Sequence, residues 1–300
     1  MSMIQITGLT KRYGEKKGVF DLSFDVAQGE VFGYLGPNGS GKTTTIRHLL
    51  GFLNADSGRC AIAGMDCRRQ ADRIQRDCGY LPGEIAFFDE MKGTEYLRFL
   101  ARLRGMKRAP REEEMLRRFE LDPSGRIKRM SKGMKQKLGL VAAFMHDPGT
   151  LILDEPTSGL DPLMQGAFVD LVREERRRGK TILMSSHSFE EVEKCSDRVG
   201  ILKDGELKAL LSVHELKHQR RRLYAVHFDD AAEQAAFEQE GLELVSREDG
   251  RLVVAVTGDL QPLTRALASR RIVGLDSVSQ GLEDIFISYY GGNGHDPHTV

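Results

Sequence analysis

The segment Gly36-Pro37-Asn38-Gly39-Ser40-Gly41-Lys42-Thr43, with Thr44 next to it, is the stretch of the chain best equipped for chemistry. It satisfies the phosphate-loop pattern in full, and it stands after an apolar run and before a helical one, as the pattern requires. Glycines at this spacing let backbone N–H groups converge on phosphates, and the start of a helix adds positive partial charge. Lys42 can then reach the outer phosphates, and the Thr43 hydroxyl can ligate Mg²⁺. A second group, Leu151-Ile152-Leu153-Asp154-Glu155, puts two carboxylates directly after an apolar strand, where ligands of open α/β sheets collect. Asp154 suits water-mediated Mg²⁺ binding. Glu155, one residue on, points the other way and can polarise an attacking water, a general-base role worth about 10²–10⁴ in rate. Alone, the pair before Pro156 and Ser158 would be ordinary turn chemistry.

The elements that must position these groups are visible as changes of period. From Met3 to Leu35 short apolar runs alternate with turn residues, which reads as strands ending at the glycine-rich turn. A helix follows from Thr43, with Ile46, Leu49 and Leu50 inward. From about 92 to 145 the period is helical, with Tyr96, Leu97, Leu100 and Leu103 on one stripe and Glu112 to Glu114 opening a further helix at its positive end. Leu151–Leu153 and Thr181–Met184 read as buried parallel strands. The α/β core closes near 211, and a linker spans 212–222. Residues 223–290 then give a strand-helix-strand-strand-helix-strand order, with a hairpin turn at Asp249-Gly250 and a closing helix striped by Leu282, Ile285, Phe286 and Tyr289. A polar tail over 291–300 is expected to be disordered.

Length and composition narrow the function classes. Three hundred residues suit one large unit and a smaller one. Basic and acidic residues balance at 44 each, which removes the electrostatic footprint of a general nucleic-acid binder. No apolar stretch approaches the roughly 18 residues of a spanning helix, and Met1–Thr10 lacks the pattern of a secretion signal. A cytoplasmic protein is therefore expected. Cys60, Cys67, Cys78 and Cys195 show no paired spacing and read as inert core thiols.

With both motifs in place, residues 1 to about 210 resemble the ATPases of ABC transporters. Ser131-Lys132-Gly133-Met134-Lys135-Gln136 is similar to the family's signature segment, Ser158-Gly159-Leu160-Asp161 to its D-loop, and His187 to its switch histidine. Tyr13 matches the aromatic that the family stacks on adenine. The resemblance implies an α/β P-loop NTPase fold with a helical insert, followed by a small α+β ferredoxin-like domain. It implies ATP and Mg²⁺ as ligands, with Thr43 and Asp154 on the metal, and ATP hydrolysis with Glu155 and His187 as catalytic groups. Two cassettes, as a homodimer or with a second ATPase chain, would face head to tail, so that Ser131 and Gly133 serve the partner's ATP and Asp161 lies at the interface. It also implies a separately encoded integral membrane permease and a peripheral position on the inner membrane face. Two departures stand out: Lys132 replaces a signature glycine, and Gly83-Glu84 stands where the coupling glutamine belongs, which makes Glu84 the candidate replacement. The lysine-bearing signature, the Gly79–Glu84 run and the closing Gly281-Leu282-Glu283-Asp284-Ile285-Phe286 are similar to the ATPases of daunorubicin-type multidrug exporters.

The alternative within the family is a soluble ABC ATPase acting on ribosomes or nucleic acid. Such members carry two cassettes or a long coiled-coil insert, and this chain has neither. His214-Glu215-Leu216-Lys217-His218 fits a zinc-protease pattern but runs into Gln219-Arg220-Arg221-Arg222 without a third ligand, so no zinc is expected. His48, His146 and His227 read as packing or surface residues. Phe87 and Phe88, between core and insert, are candidates for an apolar docking patch.

Overall fold

The computed structural model describes residues 2–214 and 221–278, and the chain divides into two compact units between Leu211 and Ser212. The first unit opens with β1 (Ser2–Arg12), β2 (Gly18–Ala27), β3 (Val31–Leu35) and helix α1 (Lys42–Leu49). β4 (Ser57–Ile62), β5 (Met65–Asp66), α2 (Ala71–Asp77) and β6 (Cys78–Leu81) follow. The insert holds α3 (Gly93–Leu103), α4 (Glu112–Arg118), a 3₁₀ turn at Ile127–Arg129, and α5 (Lys132–Phe144). The chain then returns through β7 (Thr150–Asp154), α6 (Pro162–Arg177), β8 (Thr181–Ser186), α7 (Phe189–Cys195), β9 (Arg198–Lys203) and β10 (Glu206–Ser212).

Two sheets share one core. The larger has the order β10-β9-β3-β8-β7-β6, with β9, β3, β8, β7 and β6 running parallel. Every residue of β3, β7 and β8 is buried, as expected of central strands whose sheet is covered on both faces. The smaller sheet, β2-β1-β4-β5, is antiparallel. Its β4–β5 hairpin was not apparent as a feature of the sequence. Between the sheets lie Ile4, Leu22, Phe24, Phe32, Ile46 and Leu49, with the Phe24 and Phe32 rings stacked at 5.1 Å.

Local signals set the helix ends. α6 starts where Asp161 accepts the Met164 N–H at 3.0 Å and Pro162 opens the first turn. α4 carries Glu112–Glu114 in its first turn and Arg117 and Arg118 in its last, matching the dipole at both ends. A buried ion network fastens the insert: Arg111 reaches Glu175 of α6 at 2.7 Å, and Arg178 reaches the same carboxylate at 3.0 Å. Glu175 is only 1% exposed, so its charge depends on these partners.

The second unit contains β11 (Arg221–His227), α8 (Ala231–Glu238), β12 (Glu243–Glu248), β13 (Arg251–Thr257), α9 (Gln261–Ala268) and β14 (Gly274–Val278). Its sheet has the order β12-β13-β11-β14 with antiparallel neighbours. Val226, Leu252 and Val254 pack under Phe237 of α8 and Leu263 of α9. The last strand begins at Gly274 rather than Arg271. Glu215–His218 of the zinc-protease pattern, the helix expected at Leu282–Tyr289 and the tail lie outside the described residues.

Candidate functional site

The phosphate loop, the end of β7 and the end of β8 meet because their strands are neighbours. β8 lies between β3 and β7, with Leu35 opposite Ser186 and Asp154 opposite Ser185. The groups separated by more than a hundred residues in sequence thus share the carboxyl edge of one sheet, where open α/β folds hold ligands.

The loop's glycines are required by space. A Cβ on Gly36 would lie 2.4 Å from Ser40 Oγ, and one on Gly41, at φ +109°, would lie 2.6 Å from a Val19 methyl. Gly41 caps α1, whose second residue is Thr43. Lys42 is 5% exposed, and its Nζ donates to Gly36 O at 2.6 Å and Pro37 O at 3.2 Å, across the mouth of the loop. Burial pulls its pKa below that of a free lysine, while Glu155 and Asp154 hold it up.

The carboxylates are held from several sides. Thr43 Oγ1 donates to Asp154 Oδ2 at 2.7 Å, and Ser185 Oγ donates to Oδ1 of the same carboxylate. Glu155 follows at φ +49°, a left-handed conformation that is costly for a side chain with a Cβ and recurs at functional sites. Its N–H donates to Ser185 Oγ at 3.0 Å, and Gln136 Nε2 donates to its carbonyl at 3.3 Å and to Pro156 O at 2.9 Å. Glu155 Oε1 lies 3.6 Å from Lys42 Nζ and its Oε2 3.4 Å from His187 Nδ1. The site therefore brings together an ammonium, a hydroxyl, two carboxylates and an imidazole.

Residues that sequence reasoning had not assigned to the site do the holding. Ser185 bridges both carboxylate residues. Gln136, 5% exposed, ties α5 to the turn that carries Glu155. Glu191 of α7 accepts from Thr157 Oγ1 at 2.6 Å and Ser186 Oγ at 2.9 Å, fixing the turn that carries His187. Only the polar run Ser185-Ser186 before His187 offered a hint.

The other residues named from sequence have definite positions. A cavity of about 450 Å³ is lined by Asn38, Thr43, Glu84, Lys132, Asp154 and Glu155. Gly83 stands against Asp154, where a Cβ would lie 3.2 Å from Oδ2, while Glu84 lines the cavity one residue on. Ser131 caps α5 by accepting the Met134 N–H at 3.2 Å, and a Cβ on Gly133 would lie 2.9 Å from Gly159 O. Asp161 caps α6 beside that glycine. Tyr13, 52% exposed, sits at the end of the β1–β2 hairpin, fixed by its N–H to Lys17 O at 2.7 Å. Gly39 has φ +83° with open space on its side, and Thr44 contributes its carbonyl to His48 Nδ1 at 2.8 Å.

The four cysteines stand apart from this site as buried thiols. Burial pushes the Cys60, Cys78 and Cys195 thiols up to about 12 and Cys67 higher still. Among the described residues no three His, Cys, Asp or Glu side chains gather as a metal site, and no helix is long and apolar enough to cross a membrane.

Comparison with known proteins agrees with this arrangement. The family model described as ABC transporter matches residues 19–158. The daunorubicin resistance ATP-binding protein of Streptomyces coeruleorubidus is 36% identical over 266 residues, covering 87% of this chain and 78% of that protein. The bacitracin transport ATP-binding protein of Bacillus licheniformis is 32% identical over 303 residues, covering 97% of this chain and 98% of the relative. Among solved structures, an ATP-binding subunit of an ABC transporter superposes with a TM-score of 0.67 at 32% identity, covering 73% of this chain and 93% of that one. A dimeric ATP-binding cassette with ADP and phosphate bound shares the fold with a TM-score of 0.63 at 21% identity, over 70% of this chain and 99% of that one. A complete phosphate loop facing paired carboxylates, in a chain aligned along nearly its whole length with such relatives, establishes that it belongs to the ABC transporter family as an ATP-binding subunit.

Proposed function

We propose that the chain hydrolyses ATP to ADP and phosphate and uses that reaction to drive an exporter whose membrane-spanning permease is a separate protein. The observation that carries this reading is Glu155: a half-buried carboxylate beside Lys42 and His187, on a backbone strained to φ +49° and held there by Ser185 and Gln136. Glu155 would take a proton from water as its oxygen bonds to the terminal phosphorus. The bond to the bridging oxygen breaks, ADP departs, and the loop N–H groups and Lys42 meet the negative charge.

The oxygen donors fit Mg²⁺. A hydroxyl and a carboxylate 2.7 Å apart form a hard-ligand pair of the kind that shares this ion with substrate phosphates. Thr43 and Asp154 would hold it, and it would neutralise phosphate charge there. Tyr13 would stack on the base, its half-exposed ring matching that task.

The family's dimer supplies the rest of the reading. Ser131 and Gly133 at the start of α5 would meet the γ-phosphate of a partner cassette's ATP, Asp161 would lie at the interface, and Glu84 would stand in for the coupling glutamine. The relatives named for daunorubicin resistance and bacitracin transport favour an antibiotic or multidrug exporter. Since β11 starts at Arg221, the linker expected over 212–222 would be shorter, and residues 221–278 would form a ferredoxin-like domain, a reading supported by the strand order.

Permease docking is supported by two adjacent apolar features. Phe88 is 57% exposed with its ring edge on Phe99, while Phe87 packs on Tyr96 and is less open. Nearby, Phe52, Tyr80 and Leu103 line a groove of about 360 Å³ between the core and the insert. Peripheral membrane attachment would follow from a spanning protein docked on these rings.

Phosphate release under Mg-ATP tests the proposal. Glu155→Gln is expected to lose about 10²–10⁴ in turnover with nucleotide affinity retained, because the amide keeps the shape and loses the base. Turnover at the unmodified rate would remove Glu155 from its role and hydrolysis by this site with it.

A further inference from the structure

Glu155 and His187 stand on separate segments, and their own contact is slight. Glu155 Oε2 lies 3.4 Å from His187 Nδ1, and the His187 side chain is 61% exposed. An exposed pair of this kind does little to fix its own geometry. Something else has to hold the two groups in register.

Glu191, in the first turn of α7, touches both segments. Its Oε1 accepts from Thr157 Oγ1 at 2.6 Å, and its Oε2 accepts from Ser186 Oγ at 2.9 Å. Thr157 lies two residues after Glu155, and Ser186 stands immediately before His187, so one carboxylate spans both turns. Thr157 and Ser186 are buried, and among the described residues no cation lies within ion-pair distance of Glu191; Lys194 of the same helix pairs with Glu190 at 2.7 Å instead. The charge of Glu191 is therefore directed at two hydroxyls, and charge-assisted bonds of this kind are short and strong.

Both arms of this bridge are anchored. Ser186 Oγ also accepts the Ser188 N–H at 2.9 Å, which folds the chain around His187. On the other side, the Ser158 N–H donates to Glu155 O at 3.1 Å and Gln136 Nε2 donates to the same carbonyl at 3.3 Å, so a shift of Thr157 is passed to Glu155. Helix α7 itself lies tight on β3, the strand that leads into the phosphate loop: a Cβ on Gly33 would lie 2.0 Å from a Val192 methyl. The loop's strand, the Glu155 turn and the His187 turn are thereby tied through one side chain.

We propose that Glu191 is a positioning residue for hydrolysis, its carboxylate clasping the two turns so that Glu155 and His187 meet the terminal phosphate in one fixed geometry. This role rests on the reading of Glu155 given under the proposed function. Glu191 orients, and it exchanges no proton with water or nucleotide. A displacement of about 1 Å at reacting atoms can cost about 10² in rate, whereas nucleotide affinity is set by the phosphate loop and Tyr13. Loss of the clasp should therefore lower kcat and leave binding nearly unchanged.

Phosphate release from the full-length chain under Mg-ATP, with Kd read from a fluorescent ATP analogue, tests the clasp at a temperature well below every variant's thermal midpoint. Thr157→Val keeps the shape and removes one hydroxyl arm, so kcat should fall about tenfold or more while Kd stays within about twofold. Thr157→Ser keeps the donor and should retain most of the unmodified turnover. Glu191→Ala should lower kcat about 10- to 100-fold, and adding Thr157→Val to it should lower kcat no further, because that hydroxyl has already lost its acceptor. Turnover of Thr157→Val at the unmodified rate overturns the proposal, as does an equal loss in Thr157→Ser or losses in Thr157→Val and Glu191→Ala that simply multiply. If Glu191→Ala does not fold, the two Thr157 variants decide the question. Glu155→Gln is measured alongside: if it is inactive while the Thr157 and Glu191 variants turn over normally, the clasp falls and the reading of the site stands, and if it also turns over normally, both fall.

Discussion

At the scale of single residues, the corner where the phosphate loop meets the Asp154-Glu155 pair was legible wherever chemistry and spacing coincide in the sequence. The phosphate loop and the Asp154-Glu155 pair could be read directly because the loop's glycines have no steric alternative: a Cβ at Gly36 or Gly41 meets atoms 2.4 and 2.6 Å away. Ser185, Gln136 and Glu191 could not be read, since a serine 31 residues from Asp154 signals nothing until two strands bring it into register. The same limit applies to Gly83 and Glu84, whose departure from the family pattern was visible but whose placement was not. Tyr13 belongs at this scale too. Its half-exposed ring at the hairpin's end makes few packing contacts to lose, so Tyr13→Ala should weaken nucleotide binding by about 1–3 kcal/mol and leave the chemical step nearly intact. Titration with a fluorescent ATP analogue checks this, and unchanged affinity would make Tyr13 a surface residue.

At the scale of elements, the buried strands and amphipathic helices followed from period and end signals, whereas the β4–β5 hairpin escaped because Ser57-Gly58-Arg59-Cys60 does not alternate cleanly. Interactions between elements were also silent. Glu175, which stands in the charged run Glu174-Glu175-Arg176-Arg177-Arg178 with nothing to set it apart, is the buried anchor of the insert. Glu175→Ala would take one partner from both Arg111 and Arg178, while Arg111 keeps Glu114 and Asp147, and is expected to destabilise the first unit by about 1.5–3 kcal/mol, read from urea denaturation. His146, following α5, is 6% exposed. Burial, with the Arg104 charge adding to it, holds its pKa at about 4 against an ordinary 6.5. The unfolded chain therefore takes up this proton at higher pH than the fold does. The contribution of neutral His146 is complete above about pH 6.5 and is lost as pH falls toward 4, by at most roughly 3 kcal/mol. Denaturation midpoints should fall across that window and flatten in His146→Asn; equal slopes in both chains would contradict this origin.

At the scale of the whole molecule, the even charge balance argues only against a general nucleic-acid binder and names no partner. A balanced surface gives no electrostatic partner, so the partner had to be inferred from the site and the family rather than from composition. Assembly is the least legible property, because Ser131, Gly133 and Asp161 are capping and turn residues within one chain and would take a second role only across the proposed interface. The central claim is that ATP binds between two copies and that Glu155 hydrolyses it there. The most direct measurement is the molar mass in solution of Glu155→Gln, by light scattering, with and without Mg-ATP at concentrations well above its Kd. A shift from one chain mass to two that depends on ATP, and reverses when ADP replaces it, is the predicted result. A protein that binds the nucleotide and remains a single chain at micromolar concentration would contradict it.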